Sequence, residues 1–115
     1  MAGVEGRAFD GADETVEFPH GRVDLLRFEG MGVARFTAEP GWRWSESVKP
    51  IAGTDSCQTH HLGYVLSGTL HIVAGDGTEA DAKTGDVYHI LPGHDAWVVG
   101  DETFVGVEFR AGAAG

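Results

Sequence analysis

Glycine and proline interrupt this chain every few residues, and that feature limits the folds open to it more than any other. The 115 residues include 18 glycines and 4 prolines. Between these interruptions no window keeps an apolar period of about 3.6 residues over the ~10 residues that a helix needs. The sequence therefore predicts short β-strands separated by turns.

Alternation of apolar and other residues locates the strands. It is clearest in GVARFTAE, at 32–39, and in TFVGVEFR, at 103–110. Asp76-Gly77 follows an apolar run, which predicts a hairpin with a type I′ turn. Further strand candidates are TVEF, RVDLLRF, WRW, SVKPI, GYVLS, DVYHI and AWVVG. Roughly ten short strands without a helical crossover predict an all-β antiparallel sandwich or small barrel.

The length of the chain fits one domain with one core. Residues 1–12 are rich in glycine and carry no apolar pattern, so we expect a loose N-terminal arm followed by a single domain at 13–115. No apolar run approaches the ~20 residues of a membrane span, and the first residues do not resemble a signal peptide. We therefore expect a cytoplasmic protein.

Acidic residues dominate the charge of the chain. Eighteen acidic residues against eight basic ones give a net charge of -10. Phosphate groups would be repelled over most of such a surface, so nucleic acid and anionic membranes are poor partners. The single cysteine, Cys57, cannot form an internal disulfide. It is a buried apolar residue, a metal ligand or a reactive thiol.

The stretch CQTHHLGYVLSG, at 57–68, places that cysteine just before two histidines. On one continuous strand Cys57 and His61 would stand ~13 Å apart, too far to share a ligand. If residues 58–60 form a hairpin loop, the two become cross-strand neighbours about 5 Å apart and can bind one ion. Asp55 would lie on the same face, and His60 at the loop tip would be a further ligand or merely solvated.

A third histidine follows a later strand. Pro92-Gly93 ends the strand DVYHI, and His94 comes directly after it, before the apolar strand AWVVG. A residue in this position lies at the mouth of whatever the strands enclose. His94 therefore joins Cys57 and His61 as a candidate ligand.

The layout of residues 85–100 resembles the second signature of the cupin family, G-x5-P-x-G-x2-H-x3-N. Gly85 and Gly93 match its glycines, whereas Leu91, Ala96 and Gly100 replace its proline, histidine and asparagine.

The first cupin signature, G-x5-H-x-H-x3,4-E-x6-G, can be aligned on Gly68. That alignment puts His61 at the glutamate position, Cys57 at the second histidine and Asp55 at the first. The resemblance spans about residues 21–110 and implies a double-stranded β-helix, or jelly-roll barrel. All four usual ligand positions differ from the family pattern, so the three-histidine, one-glutamate centre of the family is not expected here.

The substituted positions still carry groups that bind metals, and His94 stands two residues before the lost histidine. Cys57, His61 and His94 then make a three-ligand set whose fourth position is open to water, substrate, His60 or Asp55. One sulfur with two imidazoles suits Zn²⁺ best and Fe²⁺ next, and the lack of a carboxylate disfavours Mn²⁺ and Mg²⁺. We expect a divalent metal at this site.

Two functions fit these expectations. The protein is either a metal-dependent enzyme acting on a small molecule in the barrel or a ligand-binding or sensing module without turnover. A structural barrel with an inert thiol is a third interpretation. No catalytic residue can be named from the sequence. Because an antiparallel sandwich must cover its edge strands, we also expect a homodimer.

Overall fold

A computed structural model describes residues 3–111 and shows nine strands, two short α-helices and a 3-10 helix at Phe9–Gly11. The strands are β1 (Glu14–Phe18), β2 (Gly21–Phe28), β3 (Met31–Ala38), β4 (His61–Ser67), β5 (Thr69–Ala74), β6 (Glu79–Lys83), β7 (Val87–Ile90), β8 (His94–Val99) and β9 (Phe104–Ala111). The helices are α1 (Trp44–Ser47) and α2 (Lys49–Ala52). The described part of the chain contains no helix long and apolar enough to cross a membrane.

The strands form two antiparallel sheets. One sheet has the order β1-β2-β3-β9-β4-β7, and the other has the order β6-β5-β8. Inward side chains of both sheets meet in one core, which includes Val65 and Phe104 from the larger sheet and Leu70 and Ile72 from the smaller. The two segments with the clearest apolar alternation, 32–39 and 103–110, fall on β3 and β9. These strands pair with each other along their whole length. The predicted all-β antiparallel barrel is therefore confirmed.

The segment between β3 and β4 corrects the prediction of strands at WRW and SVKPI. Trp44–Ser47 and Lys49–Ala52 are helical, and within these two predicted strands only Arg43 forms an isolated bridge, to Trp97. Pro50 lies in the first turn of α2, where its missing N–H has no helical partner to lose. Gly53 ends that helix with a left-handed φ of 74°. Helix signals at both ends of α2 thus outweigh the strand preference of Val48 and Ile51.

The turn at Asp76-Gly77 joins β5 to β6, as predicted, but it is not of type I′. Gly77 has a φ of 89°, whereas Asp76 is not among the residues with a positive φ. Instead the Asp76 carboxylate accepts hydrogen bonds from the backbone N–H of Thr78, at 3.0 Å, and from its hydroxyl, at 2.7 Å. This side-chain turn fixes the hairpin with one left-handed residue instead of two.

The described part of the N-terminal segment rests on the outer face of β2 and β3. Arg7 pairs with Asp13 at 2.7 Å and donates a hydrogen bond to the carbonyl of Arg27. The Arg35 guanidinium lies 5.0 Å from the centre of the Phe9 ring. Residues 1 and 2 of the expected arm and residues 112–115 lie outside the described range.

Candidate metal centre

Cys57, His61 and His94 converge at one end of the space between the sheets. Their potential ligand atoms all lie within 4.8 Å of one another, and the Cys57 Sγ is 3.7 Å from the His61 Nε2. Cys57 and His94 are buried, and His61 is half-buried. These are the three residues for which the sequence predicted a shared ion.

The path of the chain into this cluster differs from the predicted hairpin. Cys57 forms a bridge with His94, its backbone N–H donating to the His94 carbonyl at 2.8 Å. His61 instead begins β4, in the other sheet. Residues 58–60 therefore cross from one sheet to the other, and the Cys57 and His61 side chains meet across the gap between sheets.

Both imidazole rings are oriented by a hydrogen bond at Nδ1. The His61 Nδ1–H donates to the Glu108 carboxylate at 2.7 Å, and the His94 Nδ1–H donates to the Leu91 carbonyl at 2.8 Å. Because a carbonyl oxygen can only accept a hydrogen bond, the Nδ1 of His94 must carry a proton. The Nε2 of each ring then faces the cluster, and an ion binds there by displacing any proton that this nitrogen carries. Metal-binding histidines in proteins show this arrangement.

Glu108 is held from a second side by Tyr88. The Tyr88 hydroxyl donates to the second Glu108 oxygen at 2.8 Å, and both residues are buried. Two glycines make room for the tyrosine ring: a Cβ on Gly63 would lie 2.5 Å from its Cζ, and one on Gly106 2.5 Å from its hydroxyl. Because these glycines lie on β4 and β9, the strands that carry His61 and Glu108, the sheet is shaped to hold this chain of hydrogen bonds.

The sequence analysis missed Glu108 as part of the site. The signal was present, because Glu108 shares a strand face with Phe104 and Gly106, and Phe104 is fully buried. A carboxylate on the buried face of a strand needs a partner, since burying an unpaired charge is costly. That reasoning would have placed an acidic group inside the barrel, although not beside His61 in particular.

The cluster is tuned toward its charged forms. Burial opposes ionisation of the Cys57 thiol, but hydrogen bonds with His61 and His94 outweigh it and lower the thiol pKa to about 6. Burial also opposes protonation of His61, yet the contacts with Cys57 and Glu108 raise its pKa to about 9. Burial would raise the pKa of Glu108, but the hydrogen bond from His61 holds it below the usual range. A thiolate, the form that binds metals, is therefore available near neutral pH.

A cavity of about 160 Å³ adjoins the three residues. Its walls are mostly apolar and aromatic, and include Phe36, Trp42, Trp44, Leu70 and Ile90. Arg110 and Glu108 are among the few charged groups that line it. A small molecule in this cavity would lie next to the Cys57, His61 and His94 cluster.

The two further candidate ligands lie outside the cluster. Asp55 is fully exposed and stands 3.8 Å from the Lys49 ammonium, on the surface. His60 is exposed as well, and its Nε2 lies 2.7 Å from the Nε2 of His89. The side chains of both residues therefore lie outside the space that Cys57 and His61 share.

No protein-family model matches this chain, and no curated protein matches it. Solved structures resemble it in fold. A mutant of oxalate decarboxylase from Bacillus subtilis is 24% identical with a TM-score of 0.62, and the match covers 90% of this chain and 29% of that one. A second structure of that enzyme, described for its Mn(II) centers, gives a TM-score of 0.60 at 24% identity, with coverage of 90% and 29%.

An uncharacterized conserved protein with a double-stranded β-helix domain, from Klebsiella pneumoniae, is closer in size. It is 21% identical with a TM-score of 0.64, and the match covers 97% of this chain and 88% of that one. The present chain thus spans less than a third of the oxalate decarboxylase chains but most of the Klebsiella chain. The chain therefore has the double-stranded β-helix fold, which is the fold that its resemblance to the cupins implied.

Proposed function

We propose that this protein binds a divalent transition metal, zinc before iron, on Cys57, His61 and His94 and uses it to hold a small molecule in the adjoining cavity. One observation carries the proposal: a thiol and two imidazoles, each imidazole fixed by a hydrogen bond at its other nitrogen, converge within 4.8 Å. Three ligands leave a fourth position open, as in zinc sites that bind substrate or water.

The spacing supports zinc. Bond lengths of about 2.3 Å to sulfur and 2.0–2.1 Å to nitrogen, at a tetrahedral angle, place sulfur and nitrogen about 3.6 Å apart. Cys57 Sγ and His61 Nε2 are 3.7 Å apart. The pair therefore needs little movement to share an ion.

The ligand types of this cluster argue against manganese, the metal of oxalate decarboxylase, as the ion that this chain binds. Manganese prefers carboxylate, carbonyl and water oxygens, whereas thiolate sulfur selects softer ions. In this cluster the carboxylate of Glu108 bonds to the far side of the His61 ring and is not among the three converging ligands. The same positions in the fold therefore support a different ion and do not support oxalate as a substrate.

Each chain residue around the ion has a distinct part. Glu108 and the Leu91 carbonyl orient the imidazoles, and the aromatic cavity wall excludes water from the open position. A zinc ion, when bound, can polarise a carbonyl group or lower the pKa of a water molecule. The cavity of about 160 Å³ limits the bound molecule to a small one with an apolar body. Arg110 at the cavity wall favours a ligand with a negative group.

Zinc titration of the metal-free protein tests the site. We expect one tightly bound zinc per chain that is lost or weakened by roughly tenfold or more in Cys57→Ser and in His94→Gln. His71→Gln is the matched control, because His71 is a surface histidine that bonds to Asp81 and Glu79. Equal zinc affinity in the wild type and Cys57→Ser would refute the proposal.

A fragment screen by thermal unfolding tests the cavity. Small carboxylates and carbonyl compounds should raise the melting temperature of the zinc-loaded protein and leave the zinc-free protein unchanged, since a ligand stabilises only the state that binds it. A ligand that stabilises both forms equally would show that the cavity acts without the metal.

A further inference from the structure

We propose a second, surface metal site made by His60 and His89, specific for borderline divalent ions such as Zn²⁺ and Ni²⁺. The two Nε2 atoms lie 2.7 Å apart, and the ring centres are 4.8 Å apart. This pair is separate from the Cys57, His61 and His94 cluster, so the inference does not depend on the function proposed above.

The strand pairing fixes the spacing of the two histidines. His89 lies on β7 opposite Leu62 of β4, and His60 precedes the first residue of β4. Side chains alternate along a strand, so His60 projects from the same face as the exposed Leu62 and Tyr64. His89 projects from that face too, because its neighbours Tyr88 and Ile90 are buried. The sheet therefore holds both imidazoles together before an ion arrives.

The exposed position and the nitrogen ligands of this pair favour a role in metal binding over a role in stabilising the fold. Both rings are exposed, and in this contact one Nε2 donates a hydrogen bond that the other accepts. An ion bound at 2.0–2.1 Å to each nitrogen needs the nitrogens about 2.9 Å apart in octahedral geometry and about 3.3 Å apart in tetrahedral geometry. Small rotations of the exposed rings supply that change, and water completes the coordination.

The surroundings set the selectivity of this site. Imidazole nitrogens favour zinc, nickel and copper over magnesium, calcium and manganese, which prefer oxygen ligands. The net charge of -10 raises the concentration of cations near the surface. The occupant is thus a divalent ion that binds nitrogen, held more weakly than at the buried cluster.

Equilibrium dialysis against Ni²⁺ tests the inference on the full chain. Metal-free wild type, His60→Ala, His89→Ala and the double variant are compared, with His20→Asn as the control that removes an exposed histidine from another part of the surface. We expect each single variant to lose one bound ion relative to the wild type, the double variant to lose no more than a single variant, and the control to lose none. The measured quantity is the difference of one bound ion between the wild type and each variant. The test therefore works whether or not the buried cluster also binds an ion.

Paramagnetic broadening by Ni²⁺ provides a test that needs no substitution. In wild-type protein already loaded with one equivalent of Zn²⁺, which the buried cluster binds more tightly, substoichiometric Ni²⁺ should broaden the imidazole resonances of His60 and His89 together, and before that of His20. Broadening of His60 without His89, or variants that keep the full number of ions, would overturn the inference.

Discussion

At the scale of single residues, the metal site depends on the group that bonds to the Nδ1 of each imidazole. Glu108 bonds to His61, and the Leu91 carbonyl bonds to His94, which leaves two nitrogens facing one sulfur. The sequence alone indicated the three converging residues from their types and spacing. It could not show that Asp55 points outward or that His60 bonds to His89, because both depend on how residues 58–60 cross between the sheets.

Replacing Glu108 tests the first of these bonds. Glu108→Gln keeps the size of the side chain but removes the charge that favours the Nδ1–H form of His61, so zinc affinity should fall by about 10- to 100-fold. Competition with a chromophoric chelator measures the affinity. Glu79→Gln, which removes a surface carboxylate bonded to His71, is the control and should change nothing. An affinity within twofold of wild type in Glu108→Gln would show that the carboxylate does not support the ligand.

The state of the thiol gives a second prediction at this scale. The pKa of Cys57 is lowered to about 6, so in metal-free protein the thiolate forms as pH rises through about 6, instead of near the usual value for a thiol. Ultraviolet absorbance of the thiolate, followed from pH 4 to pH 10, measures this transition. His61→Gln removes a hydrogen bond that lowers the pKa and should move the midpoint upward. A midpoint above pH 8 in the wild type would contradict the coupling.

At the scale of elements, the glycines of β4 and β9 matter as much as the ligands. Gly63 and Gly106 admit the Tyr88 ring, which reaches Glu108 from between the sheets. From the sequence alone, a glycine within a strand is expected to weaken that strand. The close approach of the Tyr88 ring explains why glycine occupies these two positions.

Adding a methyl group at Gly106 should therefore strain the sheet. In Gly106→Ala the new Cβ would meet the Tyr88 hydroxyl at 2.5 Å, so we expect the free energy of unfolding to fall by about 1–3 kcal/mol. Urea unfolding measures the loss. Gly11→Ala, where a Cβ meets nothing within 4 Å, is the matched control. Equal stability of the two variants would show that the ring has room to move.

The elements also show where prediction from sequence fails. Alternation located β3 and β9 because each has one buried face, and the pattern records burial directly. It did not locate α1 and α2, because each has only four residues, too few to show a helical period, and because tertiary contact supports the helix. The Asp95 carboxylate accepts a hydrogen bond from the Ser45 backbone N–H at 3.1 Å, across 50 positions of sequence. No local window contains that partner.

At the scale of the whole molecule, the part of the larger sheet's outer face that β9, β4 and β7 form is apolar and exposed. Leu62, Tyr64 and Leu66 of β4 are 41–52% exposed, and Val87 and Phe109 on the flanking strands are 70% and 58% exposed. Tyr64 pairs with Val87 on one side and with Val107 on the other, so the patch is continuous. The outward positions of these three strands carry no acidic residue, although the chain has a net charge of -10.

The homodimer predicted from the sequence should form through this face. Two negatively charged copies can meet there without repulsion between carboxylates, and burial of the patch favours association. Sedimentation equilibrium should show a dimer for the wild type and a monomer for Tyr64→Glu. Val16→Glu, which changes an exposed apolar residue on the far edge strand, should remain a dimer. A monomeric wild type at all concentrations would contradict the prediction.

X-ray absorption spectroscopy of the protein loaded with one equivalent of zinc identifies the atoms that bind the ion. We expect one sulfur at about 2.3 Å and two imidazole nitrogens at about 2.0–2.1 Å, with a lighter atom in the fourth position. In Cys57→Ser the sulfur should disappear. A wild-type spectrum without sulfur in the first shell of zinc would contradict the convergence of Cys57, His61 and His94 on one ion.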